Sequence, residues 1–134
     1  MKKTILLFLT ILLVACSSDS TTAPDPIIGK WIIYRAVYEN AVYEFEINGT
    51  CGQQSLEMPP GNYPFVTETY YANDDCSGFT ANTHWEWKSE GNDSYSIYVL
   101  GQTIPERTVL LTNDEIKVTE PGSITVIKYY RRVM

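Results

Sequence analysis

This sequence has almost no histidine, no closely spaced cysteine pair of the metal-binding kind and no recognisable catalytic motif. His84 is the single histidine, the three cysteines form no Cys-x-x-Cys pair, and neither a Gly-x-Ser-x-Gly motif nor a glycine-rich phosphate loop occurs. Zinc sites, serine hydrolases and nucleotide-binding loops depend on those groups. Because catalysis requires a nucleophile with its base, paired acids or a metal, we predict no catalytic residue, no metal site, no cofactor and no enzymatic activity.

Two remaining polar features have ordinary interpretations. His84 alternates with Trp85 and Trp87, so in a strand it would face away from the two indoles. Asp74 and Asp75 could touch a cation, but they lack the ligand spacing of a calcium loop. We interpret His84 as a surface or half-buried residue and the two aspartates as a solvated turn.

Long apolar runs are missing beyond the N-terminus. Lys2 and Lys3 precede an apolar run from Ile5 to Val14 that only Thr10 interrupts. A bilayer span needs about 20 residues, whereas the hydrophobic part of a secretory signal needs about 7–15. The run leads into Leu13-Val14-Ala15-Cys16, which resembles the lipobox of bacterial lipoproteins. That resemblance implies a signal peptide over residues 1–15 and fatty acylation of Cys16, palmitate being a typical acyl group.

The expected address is therefore the bacterial cell envelope. Two or three acyl chains on Cys16 would anchor the protein stably in lipid. Ser17, rather than Asp, follows the cysteine, and by resemblance to Gram-negative lipoproteins this favours the outer membrane; its periplasmic and surface faces both stay open. Residues 16–26 contain two prolines and no large apolar side chain, so we predict a disordered tether spanning roughly 16–19 Å.

Basic residues are scarce as well. Residues 16–134 hold eight Lys and Arg against sixteen Asp and Glu, a net charge of −8. Such a balance argues against nucleic acid as a partner and against a domain that lies flat on anionic lipid. We expect a monomeric head held off the membrane.

If Cys16 is acylated, two cysteines remain that could pair with each other. Cys51 and Cys76 would lie in an oxidising compartment, where an even number of cysteines favours a disulfide. The bridge would close a loop of about 26 residues and contribute on the order of 3.5 kcal/mol by the chain-entropy argument. Two free thiols or half of a metal site are the alternatives.

Residues 27–134 have the pattern of short strands separated by turns. Alternation and β-forming residues predict strands at Lys30–Tyr38, Ala41–Ile47, Phe65–Tyr71, Thr83–Lys88, Ser94–Leu100, Arg107–Thr112, Glu115–Thr119 and Ser123–Val133, with a further short one within Cys51–Glu57. Turn signals such as Gly91-Asn92-Asp93 and Asn113-Asp114 separate them. The fold class is all-β, and a meander of about eight strands closes as an antiparallel up-and-down barrel or folds as a sandwich.

Several motifs together resemble the lipocalin-like domain of small bacterial lipoproteins, a calycin-type β-barrel. Gly29-Lys30-Trp31 opens the first strand, Cys51 and Cys76 fall among the early strands, Trp85-Glu86-Trp87 lies in a middle strand, and Tyr129–Val133 ends the chain. The resemblance implies a barrel floor in which Gly29 and Trp31 meet an arginine of the last strand, Arg131 or Arg132, across the indole. Met58–Tyr63 departs from the family pattern, so the register between Asn48 and Phe65 stays open.

The same resemblance implies a binding module for a small apolar or amphipathic molecule. Strand parity places Arg35 on the face of Trp31, which would make it an inward handle for an anionic group or the partner of a buried acid. Trp85 and Trp87 are further candidates for ligand contact. The alternative is a barrel filled by its own side chains that acts through its loops as a protein-interaction head, such as a hydrolase inhibitor.

Overall fold

The computed structural model describes residues 23–45, 53–60, 65–71 and 79–134; for residues 70–71 and 79–84 it describes the backbone alone. Those residues contain nine antiparallel strands and no helix. The strands are β1 (Gly29–Tyr38), β2 (Ala41–Glu44), β3 (Ser55–Met58), β4 (Phe65–Tyr71), β5 (Phe79–Gly91), β6 (Ser94–Val99), β7 (Arg107–Thr112), β8 (Glu115–Glu120) and β9 (Val126–Arg132).

Eight of these strands close into a barrel. Strands β3 to β9 pair in chain order, and β1 completes the ring by pairing with both β3 and β9. Strand β2 pairs only with the second half of β1, from Arg35 to Tyr38, and is an extra strand beside the ring. The prediction of an all-β antiparallel barrel with about eight strands is confirmed, and the barrel is compatible with a calycin-like fold.

The local sequence explains where the strands begin and turn. The observed bounds of β4 and β7 coincide with the predicted ones, and β7 alternates strictly between buried and exposed residues. Asn92 and Asp93 both have positive φ, 52° and 58°, in the turn between β5 and β6, and Asn113 has 54° between β7 and β8. Asn and Asp tolerate this conformation better than other non-glycine residues, so the predicted turn signals are the turns that form the hairpins.

One end of the barrel, which we call the floor, is closed by Trp31. The indole is fully buried, and its Nε1 donates to the Ile27 carbonyl at 2.9 Å. The guanidinium of Arg132 lies 4.3 Å over the indole and donates to the carbonyls of Ile28, at 2.8 Å, and Pro26. This is the arrangement that the resemblance implies, with Arg132 rather than Arg131 in the stacking position.

Gly29 is required at the floor for two reasons. Its φ of 143° lies in a region that other residues rarely adopt. A Cβ atom at this position would also come within 2.9 Å of Nη1 of Arg132. The glycine therefore allows the arginine to approach the backbone and cover Trp31.

The chain enters the barrel at the floor. The carboxylate of Asp25 accepts hydrogen bonds from the Tyr95 hydroxyl, at 2.8 Å, and from the Ile27 amide, at 3.1 Å. Asp25 and Pro26, the last residues of the predicted tether, are thus bonded to the barrel. Among the described residues, no helix is long and apolar enough to span a membrane.

Candidate functional site

Arg35 was predicted to point into the barrel, but in the structure it lies on the outside. The pairing of β1 with β9 is irregular between Ile33 and Arg35: Ile33 lies opposite Tyr130, whereas Arg35 lies opposite Tyr129. This bulge adds one residue and reverses the alternation. Ala36 is consequently buried, and Arg35 lies 5.2 Å over the Tyr129 ring. The predicted parity of Arg35 was wrong.

Four other charged side chains occupy the interior instead. They come from four strands, and all but Glu120 are buried: Glu68 of β4, Arg107 of β7, Glu120 of β8 and Lys128 of β9. We call them the interior charge cluster. Arg107 and Glu120 lie at the ends of their strands that point away from the floor, so the cluster occupies the half of the interior nearer the opposite end, which we call the open end.

Each charge in the cluster has an opposite partner. Arg107 contacts Glu68 through Nη1 at 2.9 Å and Glu120 through Nε at 3.2 Å. Lys128 lies 2.9 Å from Glu120 and 3.7 Å from Glu68. With two cations and two carboxylates, the cluster is electrically balanced, which is the condition for keeping charges in a low-dielectric interior.

Neutral side chains complete the cluster. The Gln54 amide donates to Glu68 and, at 3.1 Å, to the Tyr130 hydroxyl. Arg107 also lies 4.1 Å over the indole of Trp85, whose Nε1 donates to Glu106 at 2.8 Å. One of the two tryptophans predicted for ligand contact is therefore engaged with the protein itself.

Trp87, the second of these tryptophans, packs against the hydrophobic core. Its ring meets Tyr95 edge-on at 5.9 Å. Its Nε1 is buried and has no hydrogen-bond partner in the structure. Burial and the hydrogen bond to Asp25 raise the pKa of Tyr95 above the usual tyrosine value.

Near the floor, the interior of the barrel is filled by the side chains that the structure describes. Beneath the interior charge cluster the inward positions are apolar or aromatic, and most expose less than 2% of their surface: Trp31, Leu56, Met58, Val66, Ile97, Val109, Ile116, Val118 and Tyr130. A side chain with no accessible surface adjoins no space large enough for a water molecule. These residues therefore form a packed core, as expected for a barrel of eight strands.

Apolar side chains are exposed around the open end. They lie in the hairpin of β1 and β2 and in the connections β6–β7 and β8–β9, and we call them the open-end rim: Tyr38, Val42, Tyr43, Leu100, Ile104 and Ile124. Ile104 is the most exposed of them, at 76%. Tyr38 and Tyr43 pack edge-on at 5.4 Å. Isolated exposed apolar residues are ordinary, but a concentration at one end indicates a contact surface.

The outer wall beside β1 carries a second polar arrangement. The Tyr34 hydroxyl donates to Glu115 of β8, and Arg131 of β9 lies 4.3 Å over the Tyr34 ring. Burial, followed by the hydrogen bond to Glu115, raises the pKa of Tyr34 to about 12, although the charges of Arg131 and Arg35 act in the opposite direction.

Several predicted positions lie outside the described residues. They are Cys16 with the signal peptide, Cys51, Cys76, Asp74 and Asp75. His84 belongs to β5, but its side chain is not among those described. Among the described residues, no group of three or more His, Cys, Asp and Glu side chains could hold a metal ion.

A signal for the interior charge cluster was present in the sequence. Arg107 begins the series Arg107, Val109, Leu111, and Glu120 ends the series Ile116, Val118, Glu120, so each shares the parity of buried residues. Glu68 likewise follows Val66 on an inward face, and Lys128 precedes Tyr130. A charged residue in phase with an apolar series predicts a buried, paired charge.

Comparison with known proteins gives no assignment: no family model, no curated protein and no solved structure matches this chain.

Proposed function

We propose that this chain is a lipid-anchored lipoprotein of the bacterial cell envelope whose lipocalin-like barrel is a protein-binding head. The N-terminal signal with Cys16 supports the anchor. The Gly29-Lys30-Trp31 opening, with Arg132 over the Trp31 indole at 4.3 Å, supports the lipocalin-like assignment.

The observation that carries the binding role is the filled interior. An eight-stranded barrel holds either its own side chains or one small ligand, and here the inward residues near the floor have almost no accessible surface. Nearer the open end, Arg107 and Lys128 are already paired with Glu68 and Glu120. A ligand would have to displace these contacts, whereas a protein partner would need only the outside of the barrel.

The open-end rim is the part of the surface best suited to such a partner. Protein interfaces are centred on apolar and aromatic side chains that lose their contact with water. The side chains of Ile104 and Tyr43 are 76% and 52% exposed, so a partner could cover much of their apolar surface. The floor, in contrast, is occupied by the entering chain at Pro26 and Arg132.

Native mass spectrometry of the protein purified from its own membrane tests the filled barrel. We expect the mass of the acylated polypeptide alone. A small molecule that co-purifies and leaves on collisional activation would overturn the proposal.

Photo-cross-linking in living cells tests the rim. A photoreactive residue at position 104 should give cross-links to protein, and one at position 110 should not, because Leu110 is exposed on the wall rather than at the open end. Equal cross-linking at both positions would contradict a head that acts through its open end.

A small-molecule carrier remains the second proposal, and one observation favours it. Nε1 of Trp87 is a buried donor without a partner in the structure, and such groups are usually satisfied. A bound polar group near Trp87 would satisfy it. The same mass measurement decides between the two proposals.

A further inference from the structure

The basic residues of this acidic protein are not spread evenly. All eight Lys and Arg of residues 16–134 lie in the described part of the chain. Five of them are distributed over the interior, the floor and separate positions on the wall: Arg107 and Lys128 lie inside the barrel, Arg132 lies at the floor, Lys30 lies opposite Glu57, and Lys88 lies over the Tyr98 ring. The remaining three are Arg35, Lys117 and Arg131, on the adjacent strands β1, β8 and β9.

These three residues share the outer face of the barrel. Tyr129 of β9 lies opposite both Arg35 and Lys117, and paired residues in a sheet point to the same face. Arg131 lies two residues along β9, on that face as well. We call Arg35, Lys117, Arg131 and the tyrosines between them, Tyr34 and Tyr129, the basic wall.

Stacking holds the two arginines in place. Arg131 lies 4.3 Å over Tyr34, the rings of Tyr34 and Tyr129 are 6.3 Å apart, and Arg35 lies 5.2 Å over Tyr129. Neither arginine forms an ion pair with a described residue, although Glu115 lies opposite Arg131 on β8 and Glu44 lies opposite Arg35 on β2. Nε of Arg35 is buried, so a lipid phosphate would have to meet the terminal N–H groups of that guanidinium. A guanidinium stacked on a ring keeps its N–H edge for a phosphate or carboxylate.

The position of the chain entry brings this wall near the membrane. Only six residues lie between Cys16 and Ala23, the first described residue, and a fully extended chain over these seven residue steps reaches at most about 25 Å. The described chain joins the floor, where Pro26 accepts a hydrogen bond from Arg132. Arg131, the next residue, is the floor end of the basic wall.

We propose that the basic wall rests on an anionic lipid surface, with the acylated Cys16 of the proposed function holding the barrel within reach. Lipid phosphates would bind the unpaired arginines, and the tyrosines have the amphipathic character of side chains at a membrane boundary. The tether makes a weak contact sufficient, because it raises the local concentration of the wall at the lipid. The net charge of −8 argues against a contact between anionic lipid and the domain as a whole, so the proposed contact is confined to this one wall.

Two carboxylates border the basic wall and limit its attraction. Glu115 accepts the hydrogen bond from Tyr34, and Glu44 lies opposite Arg35 on β2. Glu44 is exposed, so its neutralisation should change the charge without disturbing the barrel. Glu44→Gln is therefore expected to strengthen the contact with lipid.

Lysine acetylation followed by mass spectrometry tests the contact with two native residues, Lys117 on the basic wall and Lys88 on β5 across the barrel. The full mature chain with Cys16→Ser and an N-terminal hexahistidine is held on vesicles that contain nickel-chelating lipid. One set is phosphatidylcholine, and the other is phosphatidylcholine and phosphatidylglycerol in a two-to-one ratio. Because the metal tether replaces the acyl group, a failure of acylation at Cys16 leaves this test unaffected.

On the anionic vesicles we expect Lys117 to react about fivefold or more slowly than on the neutral ones, since each base near an anionic surface strengthens binding by about fivefold. Lys88 should react alike on both. Arg35→Gln with Arg131→Gln should remove the protection, Glu44→Gln should increase it, and about 0.5 M salt should weaken it. Arg131→Gln alone serves if the double variant fails to fold.

Three results would overturn the proposal. Equal protection of Lys117 and Lys88 would mean that no particular wall faces the lipid. Protection that is the same on neutral vesicles would exclude an electrostatic contact. Protection of Lys117 in the absence of vesicles, increasing with protein concentration, would assign the wall to a second copy of this chain.

Discussion

Two arginines, one inside the barrel and one on its outer wall, show how the two environments differ. Arg107 is surrounded by two carboxylates and an indole, whereas Arg35 lies on the outer wall against Tyr129. Removing one partner of a buried ion pair leaves an uncompensated charge, which is costlier than removing an exposed one. The two arginines therefore form a matched pair for mutation.

We expect Arg107→Met to lower the free energy of unfolding by about 3–5 kcal/mol, because Glu68 would stay buried with fewer partners. Arg35→Met should cost about 1 kcal/mol, the scale of a partly exposed cation–π contact. Urea denaturation of the two variants and the parent measures both values. If Arg107→Met were no costlier than Arg35→Met, the interior charge cluster would contribute little to stability.

Tyr34 should make stability depend on alkaline pH. Its pKa is raised to about 12 in the folded protein, against about 10 in an unfolded chain. Its contribution is complete below about pH 10 and is lost as the pH rises toward about 12, because the unfolded state gives up the proton first. The stability difference between the parent and Tyr34→Phe should shrink over that interval in urea titrations. A difference that stays constant with pH would contradict the role of Tyr34.

Residue by residue, the sequence predicted the floor better than the wall. Gly29, Trp31 and the terminal arginine pair were predicted through the resemblance to the lipocalin-like domain, which assigns them to the floor. The placement of Arg35 failed because it depends on one extra residue in β1, and a bulge leaves no mark on the alternation of Ile33, Arg35 and Val37. The partners within the interior charge cluster were not predictable either, since Glu68 and Arg107 meet only through the order of the closed strands.

At the level of the strands, the hairpins were the most predictable part. Two-residue turns of Asn and Asp join β5 to β6 and β7 to β8, so local sequence determines where these strands end and how they pair. β5 extends beyond its predicted range on both sides, to Phe79 and Gly91, because pairing with β4 and β6 continues the strand through residues of low β-propensity. β2 ends at Glu44, before the predicted Ile47, and β3 begins at Ser55.

The pairing of β3 with β4 bears on the predicted disulfide. Ser55 at the start of β3 lies opposite Thr69 near the end of β4. Cys51 and Cys76 lie outside the described residues; in the sequence, Cys51 precedes β3 by four residues and Cys76 follows β4 by five. We expect a Cys51–Cys76 bridge.

Loss of this bridge should lower the free energy of unfolding by about 2–5 kcal/mol, the usual effect of removing a native disulfide from a small secreted domain. Intact-mass measurement of the unreduced protein after alkylation decides the matter. Addition of two alkyl groups to Cys51 and Cys76 would mean that the bridge does not form, and a Cys51→Ser, Cys76→Ser variant as stable as the parent would mean that it does not matter.

For the molecule as a whole, the decisive test concerns the anchor. The resemblance of Leu13-Val14-Ala15-Cys16 to a lipobox makes Cys16 the proposed acylation site. We therefore expect Cys16→Ala to abolish labelling by a fatty-acid probe and to release the protein from the membrane fraction. Ser17→Ala, next to it, is the control and should leave labelling intact. Continued labelling of the Cys16→Ala chain would contradict the lipoprotein assignment.

The closure of the barrel also has a consequence for the order in which the chain folds during synthesis. Trp31 of the first strand lies opposite Arg132 of the last, so the ring forms only when about a hundred residues of intervening chain are present. Contacts so distant in sequence form slowly, because the loss of chain entropy precedes the gain in contact energy. A chain still lacking β9 has hairpins but no Arg132 to cover Trp31. We therefore expect the barrel to become stable only after the final strand has been synthesised and can pair with β1.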